Sequence, residues 1–335
     1  MEDSRYWAAL HIRSPRKGFG PLIHPDDVAR VLDVGGTGLL GQYIGQEALR
    51  RGHHVIATHR GHHAPDDARI DWHRLDIRDS VAVKALVRSV EPNLVLNAAA
   101  MTDVDRCEAD PDEAKQVNET AAGQLASVSN EVGAAFVHIS TDYVFDGTGP
   151  ATENTGPHPL NAYGATKLFG ERVVRQSHPE PIILRLSSVF GWNRLSSKTN
   201  AVTWILQKLE AGEEVPLFHD QKVTPTYAKT AAAVAFDLWD RHTSGLFHVS
   251  CPDCASRVEL GRAVADVFQI SNPRLNPIPL GSVALRAKRP LAPCLVVRKV
   301  EETLKRPMPT FRACLEDMKA TRCRASSSPG APALG

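Results

Sequence analysis

Tyr163-Gly-Ala-Thr-Lys167 sets a tyrosine and a lysine four residues apart, downstream of Ser140-Thr141-Asp142-Tyr143. Tyrosine keeps its proton at neutral pH, with an ordinary pKa near ~10. Reversible exchange of that proton with an alkoxide requires a stabilised phenolate. A lysine one helical turn later shares the tyrosine's face, with Cβ atoms about 5–6 Å apart. Its ammonium would lower the tyrosine pKa, an effect worth about 3–4 kcal/mol. Thr141, at the end of the preceding strand, could donate to the same oxygen. Thr141, Tyr163 and Lys167 therefore form a candidate group for protonating a carbonyl oxygen. Lys167 could also hydrogen-bond a nicotinamide ribose.

A second group lies near the start of the chain, at Gly35-Gly-Thr37-Gly38-Leu39-Leu40-Gly41. Glycines at a strand-to-helix turn let the backbone approach a pyrophosphate, and the helix N-terminus supplies N–H donors. The spacing differs from the G-x-G-x-x-G dehydrogenase fingerprint, but the context is the same. The next strand ends at Thr58 and is followed by His59-Arg60 rather than by an acid. A basic pair suits a 2′-phosphate, which favours NADPH, with NADH the other option. Asp76 and Ile77 would lie beside the adenine. Asn97-Ala98-Ala99-Ala100 offers small residues where the cofactor passes.

These groups need a scaffold. Strand candidates alternate with helix candidates: Val31–Val34, Leu39–Arg50, His54–Thr58, Ile70–Leu75, Ser80–Val90, Asn93–Asn97, Asp112–Glu131, Ala134–Ile139, Asn161–Gln176 and Ile182–Leu186. The alternation predicts an α/β fold, a Rossmann-type doubly wound parallel sheet covered on both faces. After Gly191 the rhythm loosens. Helices are expected at Val202–Ala211 and Val258–Phe268, with a third starting at Val300. A strand at Gly245–Val249 could return to the sheet. We therefore expect an extension over 1–29, a dinucleotide domain over 30–190 with 222–250 returning to it, and a smaller C-terminal α/β substrate lobe from 191–221 and 251–319. A flexible tail over 320–335 is expected to follow.

Bulk properties narrow the class. The 335 residues are 42% hydrophobic and 23% charged, as in ordinary globular proteins, and the formal net charge is +1. No global field favours nucleic acid or a membrane surface. No long apolar run suggests a membrane span, and no signal core precedes the fold, so a cytoplasmic enzyme is expected. Six cysteines are scattered along the chain, and a disulfide framework is not expected. Cys251-Pro-Asp-Cys254 has metal-ligand spacing without a second pair, so no metal site is expected there. His53-His54 and His62-His63 read as solvated loop residues.

Taken together, the motifs resemble the extended short-chain dehydrogenase/reductase superfamily, and more narrowly the dTDP-4-dehydrorhamnose reductases. The similarity runs from about Val31 to Met318. It rests on the glycine run, Asn97-Ala-Ala-Ala-Met-Thr-Asp-Val-Asp105, His138-Ile-Ser-Thr-Asp-Tyr-Val-Phe-Asp-Gly147, Pro159-Leu-Asn-Ala-Tyr-Gly-Ala-Thr-Lys167, Asp220-Gln-Lys-Val-Thr-Pro-Thr-Tyr227 and Phe247-His-Val-Ser250. Tyr143 stands where dehydratases of the superfamily carry an acid. The resemblance implies NAD(P)H-dependent reduction of the C4 ketone of dTDP-4-dehydro-L-rhamnose. It assigns proton donation to Tyr163, its tuning to Lys167 and a supporting role to Thr141. It further implies Asn118, Ser140 and Val189 at the cofactor, and Thr102, Asp103, Tyr143, Asn200 and Arg289 at the substrate.

The chain departs from that pattern at Val34, at Leu186-Ser187-Ser188 and after Arg289-Pro290, leaving the hexose and the base open. A need for Mg2+, which assists some such enzymes, also stays open. The expected partner is a nucleotide sugar, with a homodimer as the alternative to a monomer. Two other functions share these features. The regulatory subunit of methionine adenosyltransferase has a similar Asp-Tyr-Val-Phe-Asp-Gly segment. A sugar-nucleotide epimerase would keep the same acid–base pair.

Overall fold

Seven parallel strands form the central sheet of the computed structural model, which describes residues 28–61 and 63–322. Expectations for residues 1–27, His62 and 323–335 lie outside the described residues. In chain order the first elements are β1 (Arg30–Val34), α1 (Leu39–Arg50), β2 (His54–His59), β3 (Ile70–Arg74), α2 (Ser80–Val90), β4 (Leu94–Asn97), α3 (Val104–Ala109), α4 (Pro111–Lys115), α5 (Ala121–Glu131), β5 (Ala135–Thr141), α6 (Ala162–Ser177) and β6 (Ile182–Leu186). There follow β7 (Val189–Phe190), α7 (Ala201–Glu210), β8 (Val215–Phe218), β9 (Lys222–Val223), β10 (Thr226–Tyr227), α8 (Ala228–Asp240), β11 (Gly245–His248), β12 (Ala255–Ser256), α9 (Arg257–Phe268), β13 (Leu275–Ile278), α10 (Arg298–Leu304) and α11 (Phe311–Arg322).

The sheet order is β11-β6-β5-β4-β1-β2-β3. Strand order reverses at β1, where β2 and β4 lie on opposite sides, and the carboxyl ends open a crevice there. Both faces of the sheet are covered, so its strands read as continuous apolar runs. One face buries Val31, Val55, Leu94, Val137 and Leu184 under α1 and α8. The other buries Leu32, Ile56, Val95, Phe136 and Ile183 under α2 and α5. Each such side chain contributes about 1.5–3 kcal/mol of burial. No helix among the described residues is long and apolar enough to cross a membrane.

Several expectations need correction. Ala29 does not belong to an extension: it is fully buried and its carbonyl accepts from His54 N at 2.9 Å. Residues 320–322 belong to α11 rather than to a tail. The long helix over 112–131 is interrupted by a π-helical turn, Gln116–Thr120, between α4 and α5. His53 is not a solvated loop residue; its ring stacks on Phe236, 6.0 Å between centroids. Cys254 is bonded to Cys294 in a disulfide, while Cys251 Sγ lies 3.8 Å from Cys314 Sγ. The pairing arises because the fold brings together segments 40 residues apart, a proximity invisible in scattered spacing.

Candidate active site

Assembly of the proton-transfer group depends on α6. Asn161 caps it, its side chain accepting from Gly164 N at 2.8 Å. A Cβ on Gly164 would meet Tyr143 O at 2.1 Å, and one on Gly170 would meet Asn118 O at 2.3 Å. Only glycine at these points lets α6 press against the segment following β5 and against the π turn. The result brings the Tyr163 side chain beside Thr141. The ring of Tyr143 stands edge-on to that of Tyr163, 5.6 Å between centroids.

Lys167 lies one turn further along α6, 2% exposed, and Nζ donates to the Ile139 carbonyl at 2.5 Å. Burial lowers its pKa to about 8, opposed by the charge of Glu171. The expected lowering of the Tyr163 pKa is not what the structure shows. Burial of the phenol dominates and pushes its pKa well up, with nearby Thr141 working the other way and the Asp142 charge adding to the rise. Asp142 is itself buried. Its carboxylate accepts from Ser187 Oγ at 2.6 Å and from Thr141 Oγ1 at 3.1 Å. Burial raises its pKa to about 6, with those two bonds and the Arg257 charge pulling it down. Thr141, Asp142 and Ser187 therefore form one continuous hydrogen-bonded chain, with Tyr163 beside Thr141.

A cavity of about 410 Å³ opens at the carboxyl ends of β1, β2 and β4; Thr141, Tyr163 and Lys167 do not line it. It is lined by Gly35, Thr37, Gly38, His59, Arg60, Asp76, Ile77, Ala98, Ala99 and Ala100, all expected from the sequence. Gly35 has φ +101°, and a Cβ there would meet Ala99 N at 2.8 Å. Gly38 caps α1 without a side-chain bond, and the first turn of α1 carries no acid. The N–H groups and dipole of that helix end suit the pyrophosphate of a dinucleotide, so the residues present fit that group. Asp76 is held at about 2 chiefly by Arg78, whose guanidinium bonds it at 2.5 Å. Arg60 is exposed at the rim. Thr102 and Asp103 line this cavity and not the substrate side, because the loop after β4 turns over it; Asp103 caps α3.

A second cavity, about 450 Å³, lies between the sheet edge and the C-terminal lobe. Tyr143 and Arg289 line it, as expected, together with Ser188, Trp204, Phe218, Gln221, Arg257, Ile278 and Leu280. Arg289 is paired with Asp105 at 2.8 Å. Sequence reasoning misses Gln221, Trp204, Phe218 and Arg257. The only sequence signal for Arg257 is the box Ser256-Arg-Val-Glu259, which fixes it in the first turn of α9.

Other expected contacts are taken up by structure. Asn118 holds Met101 N and O at 2.9 and 3.0 Å and Thr166 Oγ1 at 3.2 Å, stapling the loop after β4 to α6. Ser140 Oγ is bound by Glu171 at 2.5 Å, which is itself paired with buried Arg185. Asn200 caps α7 and donates to the Gly191 carbonyl at 2.7 Å. Asn97 faces His138 at 3.3 Å. Leu39, Leu40, Gly41 and Val189 line neither cavity; the two leucines pack against the core. Among the described residues no group of three or more His, Cys, Asp or Glu side chains assembles a metal site.

Residues 29–323 match the family described as the RmlD substrate binding domain. A probable low-salt glycan biosynthesis reductase of Haloferax volcanii is 36% identical over 290 residues, 86% of this chain and 96% of that protein. Methionine adenosyltransferase 2 subunit beta of Xenopus laevis is 34% identical over 83% of this chain and 84% of its own length. The crystal structure of dTDP-4-dehydrorhamnose reductase from Bacillus anthracis in complex with NADP superposes with a TM-score of 0.76 at 27% identity, covering 88% of this chain and 99% of that one. With its Rossmann-like sheet and these relatives, the chain belongs to the RmlD substrate binding domain family of dTDP-4-dehydrorhamnose reductase-like, NAD(P)-dependent oxidoreductases.

Proposed function

We propose that the protein reduces the C4 ketone of a nucleotide-linked 4-dehydro sugar in the cytoplasm with NADPH, dTDP-4-dehydro-L-rhamnose being the first candidate substrate. The observation that carries this reading is the packing of Tyr163 beside Thr141, with the ring of Tyr143 edge-on to Tyr163 and lining the second cavity. A bound nicotinamide supplies the hydride. As the new C–H bond forms at C4, Tyr163 gives its hydroxyl proton to the ketone oxygen, and ketone, hydride and proton together make the alcohol. Thr141 can donate to that oxygen as charge develops once its hydroxyl proton turns away from Asp142 Oδ1. Lys167 keeps a positive charge one turn from Tyr163, which favours the phenolate left behind. Arg60 at the rim supplies the preference for a 2′-phosphate.

The similarity to methionine adenosyltransferase 2 subunit beta supports a second reading, a regulatory subunit that binds the cofactor and a partner enzyme. Incubating the purified protein with NADPH and dTDP-4-dehydrorhamnose separates the two. NADPH consumption supports the reductase. Absence of turnover on this and related 4-keto sugars, with tight binding to an adenosyltransferase, would establish the regulatory reading instead.

A further inference from the structure

Arg257 is an enclosed cation without a counter-charge. The other enclosed guanidiniums are matched: Arg185 by Glu171 at 2.7 Å, Arg51 by Asp237 at 2.6 Å and Arg289 by Asp105 at 2.8 Å. Arg257 instead donates from Nη1 to Ser188 Oγ at 2.7 Å and from Nε to Gln221 Oε1 at 3.2 Å. Both acceptors are neutral, and neither bond uses Nη2. No carboxylate among the described residues lies within ion-pair distance of it. Asp142 acts on it through space only, its own oxygens being taken by Ser187 and Thr141. Enclosing an unpaired charge is costly unless a partner arrives.

The position of this guanidinium is defined from both sides. Ser187 Oγ holds Asp142, next to Thr141, and the following residue, Ser188, holds Arg257. Ser188 has φ +43°, a left-handed backbone that a serine adopts at some cost. That bend between β6 and β7 links the proton-transfer chain to the guanidinium. Arg257 lines the second cavity near Tyr143, whose ring meets that of Tyr163.

We propose that Arg257 binds an oxyanion of the ligand in this cavity, close to the reacting hexose. The inference rests on reading this cavity as the sugar-nucleotide chamber. Two sources share the chemistry: the diphosphate, or a carboxylate carried by the sugar. Ser188 and Gln221 fix the fork so that its remaining donors meet two oxygens of one group.

Calorimetric titration of the whole protein with dTDP, UDP-glucose and UDP-glucuronate tests this, comparing wild type with Arg257→Gln. NADPH affinity and melting temperature serve as folding controls. If the diphosphate is the ligand, all three probes bind about 10- to 100-fold more weakly to the variant, the loss expected for one charge-assisted hydrogen bond. If a sugar carboxylate is the ligand, only UDP-glucuronate loses affinity. If Arg257→Gln does not fold, Arg257→Lys keeps the charge without the fork and must show the same pattern at reduced size. Unchanged affinity for all three probes overturns the proposal, as does failure of wild type to bind any of them at millimolar concentration. Both results hold whether or not a keto sugar is turned over, so failure of the reductase reading is seen separately in the turnover assay.

Discussion

Asp142 shows how one buried residue can shape the chemistry of another. Its charge raises the pKa of Tyr163, so an ionised Asp142 makes the phenol a poorer acid. Because its own pKa is raised to about 6, reduction should slow as pH rises through that value. Asp142→Asn should abolish this limb of the kcat profile between about pH 5 and 7; a limb that survives would place the titration elsewhere. Stability follows the same sign. A carboxyl with a raised folded pKa favours the native state most below its unfolded value near ~3.9, and that contribution is lost as pH climbs to about 6. Asp33 is the more extreme case. It is fully buried in β1, both carboxylate oxygens lack a hydrogen-bond partner, and burial holds its pKa well above the carboxylate range. Asp33→Val should stabilise the protein by about 1–3 kcal/mol at neutral pH. The gain should grow as pH rises above the unfolded value of about 3.9, and melting curves across pH read it.

At the scale of elements, legibility followed element length. The strands β1 to β6 and the helices α1, α2, α5 and α6 were readable because each carries enough residues to show a period or a buried run, whereas α3, six residues long, was not. β7, β9, β10 and β12 are two residues long, too short to show any. The π turn was hidden inside a continuous helical pattern, and with it the stapling role of Asn118. Within the site, the Tyr163–Lys167 pair was legible because its spacing is local. Arg257 was not, because its bond to Ser188 spans 69 residues and exists only once the lobe is docked. The disulfide has the same origin. Cys294 follows the Arg289-bearing segment and ties it to the loop before β12. Cys294→Ser should cost about 2–4 kcal/mol. It should raise KM for the sugar nucleotide while leaving NADPH affinity unchanged, since only the second cavity borders that segment.

The two cavities are built by different parts of the molecule. The first is built by the carboxyl ends of the parallel strands, and the second by the segments after β5 and β6 and the lobe. Changes on one side should therefore leave binding on the other nearly untouched. Arg60→Ala should weaken NADPH binding about 10-fold or more while sparing NADH, as the loss of one charged phosphate contact requires. Equal loss for both cofactors would remove the 2′-phosphate argument. Legibility at this scale was uneven: strand alternation announced the parallel sheet, whereas the lobe's contribution depends on docking that no local pattern records.

The central claim is that Tyr163 supplies the proton for carbonyl reduction. The direct test is the rate of NADPH oxidation with dTDP-4-dehydrorhamnose by wild type and by Tyr163→Phe, with NADPH affinity measured alongside. Turnover by the wild type, reduced at least about 100-fold in the variant with NADPH affinity retained, is the predicted result. A variant that turns over at the wild-type rate would contradict the claim, because another group would then have to supply the proton.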